Sequence, residues 1–207
     1  MSNIVETELR AIGLNRILGV DEVGRGALCY YVVIGSVMLP VNHKIEGIKD
    51  SKLLSPKRRE ELSKLIYERA LDVKITMATN DFIDKYNIRK ATSLCMVEAI
   101  NSCKINPDMV VIDGGVDFSG LEKTIKHPYQ ILEKADVISE NVGAASIVAK
   151  VCRDTMMIKV AEQYPQYGFE KHKGYGTVEH VEALLKYGPC PLHRKSFSIK
   201  GIKIGDL

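Results

Sequence analysis

The stretch Ile17-Leu-Gly-Val-Asp-Glu-Val-Gly-Arg-Gly26 narrows the possibilities for this chain more than any other. Four mostly apolar residues run into two acids, and the acids run into a Gly-Arg-Gly turn. A short β-rich run bounded by glycines reads as a buried strand. Asp21 and Glu22 then stand at its end, and Arg25 sits on a turn with little bulk around it. Oxygens suited to a hard cation thus lie beside backbone N–H groups open to a phosphate. Taken alone, a capping role for Asp21 and a neutralising role for Arg25 explain the same residues.

The rest of the chain repeats the design. Met109-Val-Val-Ile-Asp113 is an apolar strand ending in an acid before two glycines, and Tyr129 to Asp136 reads as a further short strand ending in an acid. In α/β sheets, sites form beyond the carboxyl ends of the strands. If these ends are neighbours, Asp21, Glu22, Asp113 and Asp136 face one another. Four ionised carboxylates repel unless a cation lies between them. Oxygen ligands alone suit Mg²⁺ or Mn²⁺ rather than zinc, and a pair of such ions serves in-line displacement at phosphorus. Asp113 as a turn residue and Asp136 as a helix-leading acid are the plainer alternatives.

Between these strands the hydrophobic period changes in a regular way. Leu28–Leu39 reads as a second strand, antiparallel to the first and ended by Pro40. Ser55-Pro56 opens a helix to about Ala70, and 71–78 alternates as a third strand. Helices follow at Phe82–Tyr86 and Asn87–Cys103. A long helix covers about Val142–Ala161, where Gly143, Ala144 and Ala145 permit close packing on a sheet. Residues 1–16 form a short helix or arm. The pattern is an α/β class with a mixed sheet. Residues 1–165 are expected to form the main α/β domain, with 166–207 a helical segment added to it.

The Gly24-Arg25-Gly26 turn is no dinucleotide fingerprint, because Cys29 occupies the third glycine position and the residues after it are β-like. It can bring backbone N–H groups close to a phosphate or a sugar hydroxyl. Lys49, Lys52, Lys57, Arg58 and Arg59 form one basic cluster. His172, Lys173, His193, Arg194 and Lys195 form another. Both lie in turn-rich loops, where a phosphate backbone could be tracked, although a solvated surface is the ordinary meaning of such charges. Tyr175, between two glycines, has no apolar company and could stack on a sugar or base. Asp154 on the long helix is a candidate for support behind the acids.

Other features set limits. Net charge is +3 over 207 residues, which permits nucleic-acid binding without arguing for it. No apolar stretch reaches membrane-spanning length, and the N-terminus has no signal-peptide pattern. The five cysteines form no CxxC pair, and the histidines show no HExxH spacing. Free thiols in a reducing cytoplasm are expected, with no histidine assigned to metal. A monomer is expected, since no long apolar or heptad surface stands out.

Taken together, these segments resemble ribonuclease HII, the type 2 ribonuclease H family. The resemblance runs from about Ile17 to Phe197. It includes Gly-Val-Asp-Glu-Val-Gly-Arg-Gly (19–26), Asp-Ser-Lys (50–52), Asn-Ile and Ala-Thr (within 87–92), Ile-Asp-Gly (112–114), Lys-Ala-Asp (134–136), Ala-Ala-Ser-Ile-Val-Ala-Lys-Val-Cys-Arg-Asp (144–154), His-Lys-Gly-Tyr-Gly-Thr (172–177) and Pro-Leu-His-Arg-Lys-Ser-Phe (191–197). It implies a ribonuclease H-like fold, a five-stranded mixed sheet with helices on both faces. It implies an endonuclease that cuts the RNA of RNA–DNA hybrids and cuts 5′ of ribonucleotides embedded in duplex DNA. The family's metal-binding acids fall on Asp21, Glu22, Asp113 and Asp136. Its 2′-hydroxyl sensor falls on Gly24, Arg25 and Gly26, and its sugar-stacking tyrosine on Tyr175.

One segment departs from that pattern. The family usually continues Pro-Leu-Ala-Gly-Pro after Gly-Arg-Gly, whereas this chain has Ala27-Leu28-Cys29-Tyr30-Tyr31. Two prolines and a glycine are replaced, which relaxes constraints on φ and on close backbone approach. The competing expectation is therefore a catalytically weakened RNA–DNA hybrid-binding module.

Overall fold

A computed structural model describes residues 3–48 and 54–207 of the chain. The central sheet has the order β3-β2-β1-β4-β5. Its strands are β1 (Ile17–Val23), β2 (Val32–Met38), β3 (Asp72–Ala78), β4 (Met109–Asp113) and β5 (Tyr129–Leu132). β1, β2 and β3 form an antiparallel meander, while β4 and β5 run parallel to β1. The mixed α/β sheet expected from the sequence is thus the observed one.

Side chains of a strand alternate between faces, and β1 shows how each face is used. Leu18 and Val20 enter the larger core with Met96, Ala99 and Ile100 of α4 (Ile88–Asn101). Helix α4 follows α3 (Asn80–Tyr86). The opposite face carries α6 (Glu140–Gln163), whose Ala144, Ala145 and Val148 pack with α2 (Pro56–Arg69) around Val37 and Leu39. Two sheet glycines make that approach possible. A Cβ on Gly19 would stand 2.2 Å from the Asn141 carbonyl carbon, and one on Gly35 would stand 2.3 Å from the Ala145 oxygen. The small residues of the helix therefore meet small residues of the sheet.

The N-terminal arm acquires a definite role. Helix α1 (Ile4–Ala11) buries Glu6, whose Oε1 accepts from Ser139 Oγ at 2.6 Å and from the Asn141 amide N–H at 3.0 Å. A carboxylate among the unpaired N–H groups of a helix start is favourable. α1 thereby helps to fix the start of α6 against the sheet.

Two expected elements differ. β5 ends at Leu132, and Asp136 lies in the first turn of the short helix α5 (Ala135–Ile138), not at a strand end. Lys134, in the left-handed region at φ 56°, turns the chain between them. The second strand begins at Val32 rather than Leu28. Residues 27–31 instead make isolated bridges, Ala27 to Tyr175 and Cys29 to His193. Beyond residue 165 the chain forms α7 (Phe169–His172) and α8 (Val178–Tyr187). It ends in a small hairpin, β6 (Ser198–Ile199) with β7 (Ile202–Lys203), so this segment is not wholly helical.

Candidate active site

β1 outruns its parallel neighbour. Its pairing with β4 stops at Val20–Ile112, while its pairing with β2 continues to Val23. Asp21 and Glu22 therefore lie inside β1 but past the end of the β1–β4 ladder. Adjacent on the strand, they leave it on opposite faces. Asp21 points toward α6 and is hydrogen-bonded to Ser146. Glu22 points the other way, its Oε1 accepting from Arg25 Nη1 at 3.1 Å. Asp113, the last residue of β4, completes a cleft of about 460 Å³ that is also lined by Gly24, Arg25, Gly26, Lys150 and Tyr175.

The electrostatics of this cleft are unbalanced. Burial holds the Asp21 carboxyl well above the usual carboxylate range, and the neighbouring Glu22 and Asp113 charges push it further the same way. Burial also raises Glu22, against the pull of Arg25. Glu22 Oε2 is buried with no hydrogen-bond partner among the described residues. Asp113 uses Oδ1 to accept from the Ala135 N–H at 2.6 Å. An orphaned carboxylate oxygen between acids that resist ionising together is the environment a hard divalent cation relieves. The donor set is all oxygen, which fits Mg²⁺ or Mn²⁺.

Asp136 is placed differently from the other three acids. It is buried on α5, one residue past the Ala135 amide that holds Asp113, and it is not among the side chains lining the cleft. Sequence spacing alone could not separate it from the others.

Around the acids, the turn residues have distinct tasks. Gly24 has φ 96°, and a Cβ there would meet Arg153 Nε at 2.2 Å. Gly26 is exposed, with nothing within 4 Å of where its Cβ would stand. The fold itself leaves room for a side chain at 26, so the free space there is available to a ligand. Tyr175 is partly buried, with Lys150 Nζ 5.7 Å and Arg153 Cζ 5.4 Å from its ring centre.

Several basic candidates are corrected. Arg194 does not face a substrate: it is fully buried, donating from Nε to the Tyr30 carbonyl at 3.0 Å and from Nη1 to the Arg25 and Ala27 carbonyls at 2.9 and 2.7 Å. His172 is buried as well, one ring nitrogen accepting from the Gly174 N–H at 3.2 Å and the other 2.8 Å from the Tyr167 carbonyl. Arg153, which spacing did not single out, is the matching clamp. Its guanidinium donates to the carbonyls of Tyr31, Lys173 and Cys29 at 3.0, 2.8 and 3.2 Å. The two arginines thus hold the segment after Gly-Arg-Gly against the segment that carries Tyr175.

Lys173 stays partly exposed, with Nζ on the Glu170 carbonyl, and lines a second cleft of about 290 Å³. Arg59, Lys171 and Asp154 line it too, and Lys150 borders both clefts. Asp154 pairs with Lys150 Nζ at 2.9 Å and lies 4.0 Å from Arg59, so its link to the acid cleft runs through Lys150. Lys52 lies outside the described residues.

A mixed sheet of this topology with clustered carboxylates at its strand ends defines a nuclease of the ribonuclease H-like fold. A model of the ribonuclease HII family matches residues 18–200. A ribonuclease HII of Endomicrobium trichonymphae is 46% identical over 186 residues, 90% of this chain and 87% of that one. Another, of Alkaliphilus metalliredigens, is 44% identical over 207 residues, covering 96% and 98%. The crystal structure of the ribonuclease H2 from Pyrococcus horikoshii matches with a TM-score of 0.75 at 30% identity, over 88% of this chain and 94% of that one. The chain therefore belongs to the ribonuclease HII family and is a type 2 ribonuclease H, an endoribonuclease that hydrolyses phosphodiester bonds. Among the described residues, no helix is long and apolar enough to cross a membrane.

Proposed function

We propose that this protein hydrolyses the RNA strand of RNA–DNA hybrids and cuts 5′ of single ribonucleotides in duplex DNA, with Asp21, Glu22, Asp113 and Asp136 as ligands for Mg²⁺ or Mn²⁺. The carrying observation is one cleft that holds three of these carboxylates with Gly24, Arg25, Gly26 and Tyr175 on its wall. Bound there, a pair of divalent cations would lower the pKa of the attacking water and stabilise charge on the leaving 3′ oxygen. Asp21, Glu22 and Asp113 line the cleft that would hold them, and Asp136 would join them from the start of α5, one residue past the amide that holds Asp113.

The remaining groups orient the substrate. The unobstructed backbone at Gly26 admits a sugar edge, and Arg25, tied to Glu22, stands where a 2′-hydroxyl can be sensed beside the acids. Tyr175 offers its ring to the sugar. Lys150 and Lys173 carry the phosphate path from the acid cleft to its neighbour. On this reading, residues 1–165 carry the chemistry and 166–207 contribute substrate contacts, in a monomer.

The test is cleavage of a labelled DNA duplex carrying one ribonucleotide, beside a full RNA–DNA hybrid, with Mg²⁺, Mn²⁺ or chelator. A metal-dependent cut 5′ of the ribonucleotide is the expected result. Cutting of the hybrid alone would remove the junction reading. Binding of both without cutting would replace the enzyme by a binding module.

A further inference from the structure

A second group of ligating side chains lies away from the acids. Cys29, His180 and His193 are all buried, and their sulfur and ring nitrogens lie within 4.8 Å of one another. They are far apart in the chain, on the segment after Gly-Arg-Gly, on α8 and on the loop that carries Arg194. The chemistry proposed for the acid cleft uses none of them.

The geometry suits one ion. His180 Nε2 lies 3.1 Å from His193 Nε2. Two imidazole nitrogens at about 2.0–2.1 Å from a tetrahedral ion stand roughly 3.3 Å apart. Metal-bound imidazoles commonly donate their other N–H to a backbone carbonyl. Here His180 Nδ1 is 3.0 Å from the Tyr175 carbonyl, and His193 Nδ1 is 3.3 Å from the Cys190 carbonyl. The outer partner of His180 is therefore in place, whereas His193 Nδ1 also lies 2.9 Å from the Cys190 N–H and must exchange that contact for the carbonyl when the ion binds.

We propose that Cys29, His180 and His193 bind one thiophilic d¹⁰ cation, zinc or cuprous copper, which fastens the Gly-Arg-Gly segment to the segment bearing Tyr175. Without the ion, His193 Nδ1 accepts the Cys190 N–H at 2.9 Å, and its Nε2–H donates to His180 Nε2. On binding, the His193 proton moves from Nε2 to Nδ1 and takes the Cys190 carbonyl as acceptor. The Cys29 S–H bond breaks, a sulfur–metal bond forms, and one proton leaves for solvent. Local charge separates the two ions. One thiolate leaves zinc with a net charge of +1 beside the buried Arg153 and Arg194, whereas it neutralises cuprous copper.

The experiment uses the full chain, stripped with chelator, desalted and titrated with Co²⁺ as a zinc surrogate. Coordination by a thiolate gives a sulfur-to-cobalt charge-transfer band in the near ultraviolet, which the oxygen-only acid cleft cannot produce. The expected result is a band that saturates at one equivalent, is displaced by Zn²⁺, persists in Cys152→Ala and vanishes in Cys29→Ala. In a parallel arm, Cu⁺ is offered from a chromophoric chelator. Copper capture that depends on Cys29, with no cobalt band, supports the monovalent ion. Circular dichroism of Cys29→Ala confirms that the variant is folded. Absence of both signals in the native chain, or their persistence in folded Cys29→Ala, overturns the proposal.

Discussion

The acid cleft and the arginine clamp behind it both bury charge, and they satisfy it in different ways. In the cleft, Asp21 and Glu22 are held above the ordinary carboxylate range and one oxygen of Glu22 has no partner among the described residues. In the clamp, Arg153 and Arg194 each donate to three backbone carbonyls, and among the described residues only Arg194 Nη2 lacks a partner. The clamp's hydrogen bonds are nearly complete within the chain's own backbone, whereas the carboxylates of the cleft have few such partners. A buried polar cluster completed by its own backbone stabilises a fold, while one left short of a counter-charge stores an affinity for something else.

The sharpest way to break that comparison is to remove one acid without disturbing packing. Asp113→Asn keeps an oxygen for the Ala135 N–H, so folding should persist. Cleavage should fall by about 10⁴-fold or more, equivalent to roughly 5 kcal/mol of transition-state stabilisation. Single-turnover rates at saturating metal check this, and near-native rates would end the metal-ligand reading. The clamp should respond in stability. Arg194→Met strips the donor from the carbonyls of Tyr30, Arg25 and Ala27. Unpaired buried acceptors cost about 1–3 kcal/mol each, so a loss of at least about 3 kcal/mol is expected in urea unfolding. An unchanged midpoint would show that these bonds are not what holds the turn.

A third prediction opposes the cleft to the histidines packed near the clamp. Burial lowers His180 and His193 to about 4 each. The unfolded chain binds more protons there, so their contribution to stability is lost as pH falls from about 6.5 toward 4. Asp21 acts in the opposite sense. Its raised pKa means that metal-free stability falls as pH climbs from the unfolded carboxylate value through the folded one. In chelator, Asp21→Asn should therefore raise Tm at neutral pH and steepen the rise in stability between pH 4 and 6.5. His193→Gln should flatten that rise. Thermal scans across this range decide it, and parallel profiles in the two variants would contradict both assignments.

Legibility in the sequence divides along the same line. Strand ends, glycine turns and the small residues of α6 are local signals, so the sheet, its helices and three cleft acids could be read directly. Gly19 and Gly35 were the complementary half of the small-residue signal, since a sheet glycine facing a helix is what Ala144 and Ala145 require. For Asp136 the plainer alternative, an acid leading a helix, is the one the structure shows, and nothing in Glu133-Lys134-Ala135 announces the left-handed lysine that separates it from the strand. Arg194 and His172 resemble surface charge in the sequence because their partners are backbone groups, which leave no trace in residue identity. Cys29, His180 and His193 escaped for a related reason, as their spacing along the chain matches no ligand motif although the fold brings them together.

The smallest effect concerns Tyr30, where the resembled family usually has glycine. Tyr30 has φ 64°, in the region that glycine occupies without strain. A non-glycine residue there costs about 1–2 kcal/mol. Against this, its ring stacks on Tyr31 with centres 4.1 Å apart and planes at 17°. Such a pair contributes about 0.5–1.5 kcal/mol beyond the area it buries. Its N–H donates to the Leu192 carbonyl at 2.8 Å, a bond that any residue except proline would keep. Tyr30→Gly should therefore cost only about 1–2 kcal/mol, because relief of backbone strain offsets the lost stack while the ring's packing against the cluster around Met157 and Tyr167 is lost. Its effect on cleavage should be smaller still, since Tyr30 does not line the acid cleft. If instead Tyr30→Gly raised junction cleavage severalfold with no change in Tm, the stacked tyrosines would be restraining the Gly-Arg-Gly turn, and clamp and cleft would have to be treated as one coupled unit.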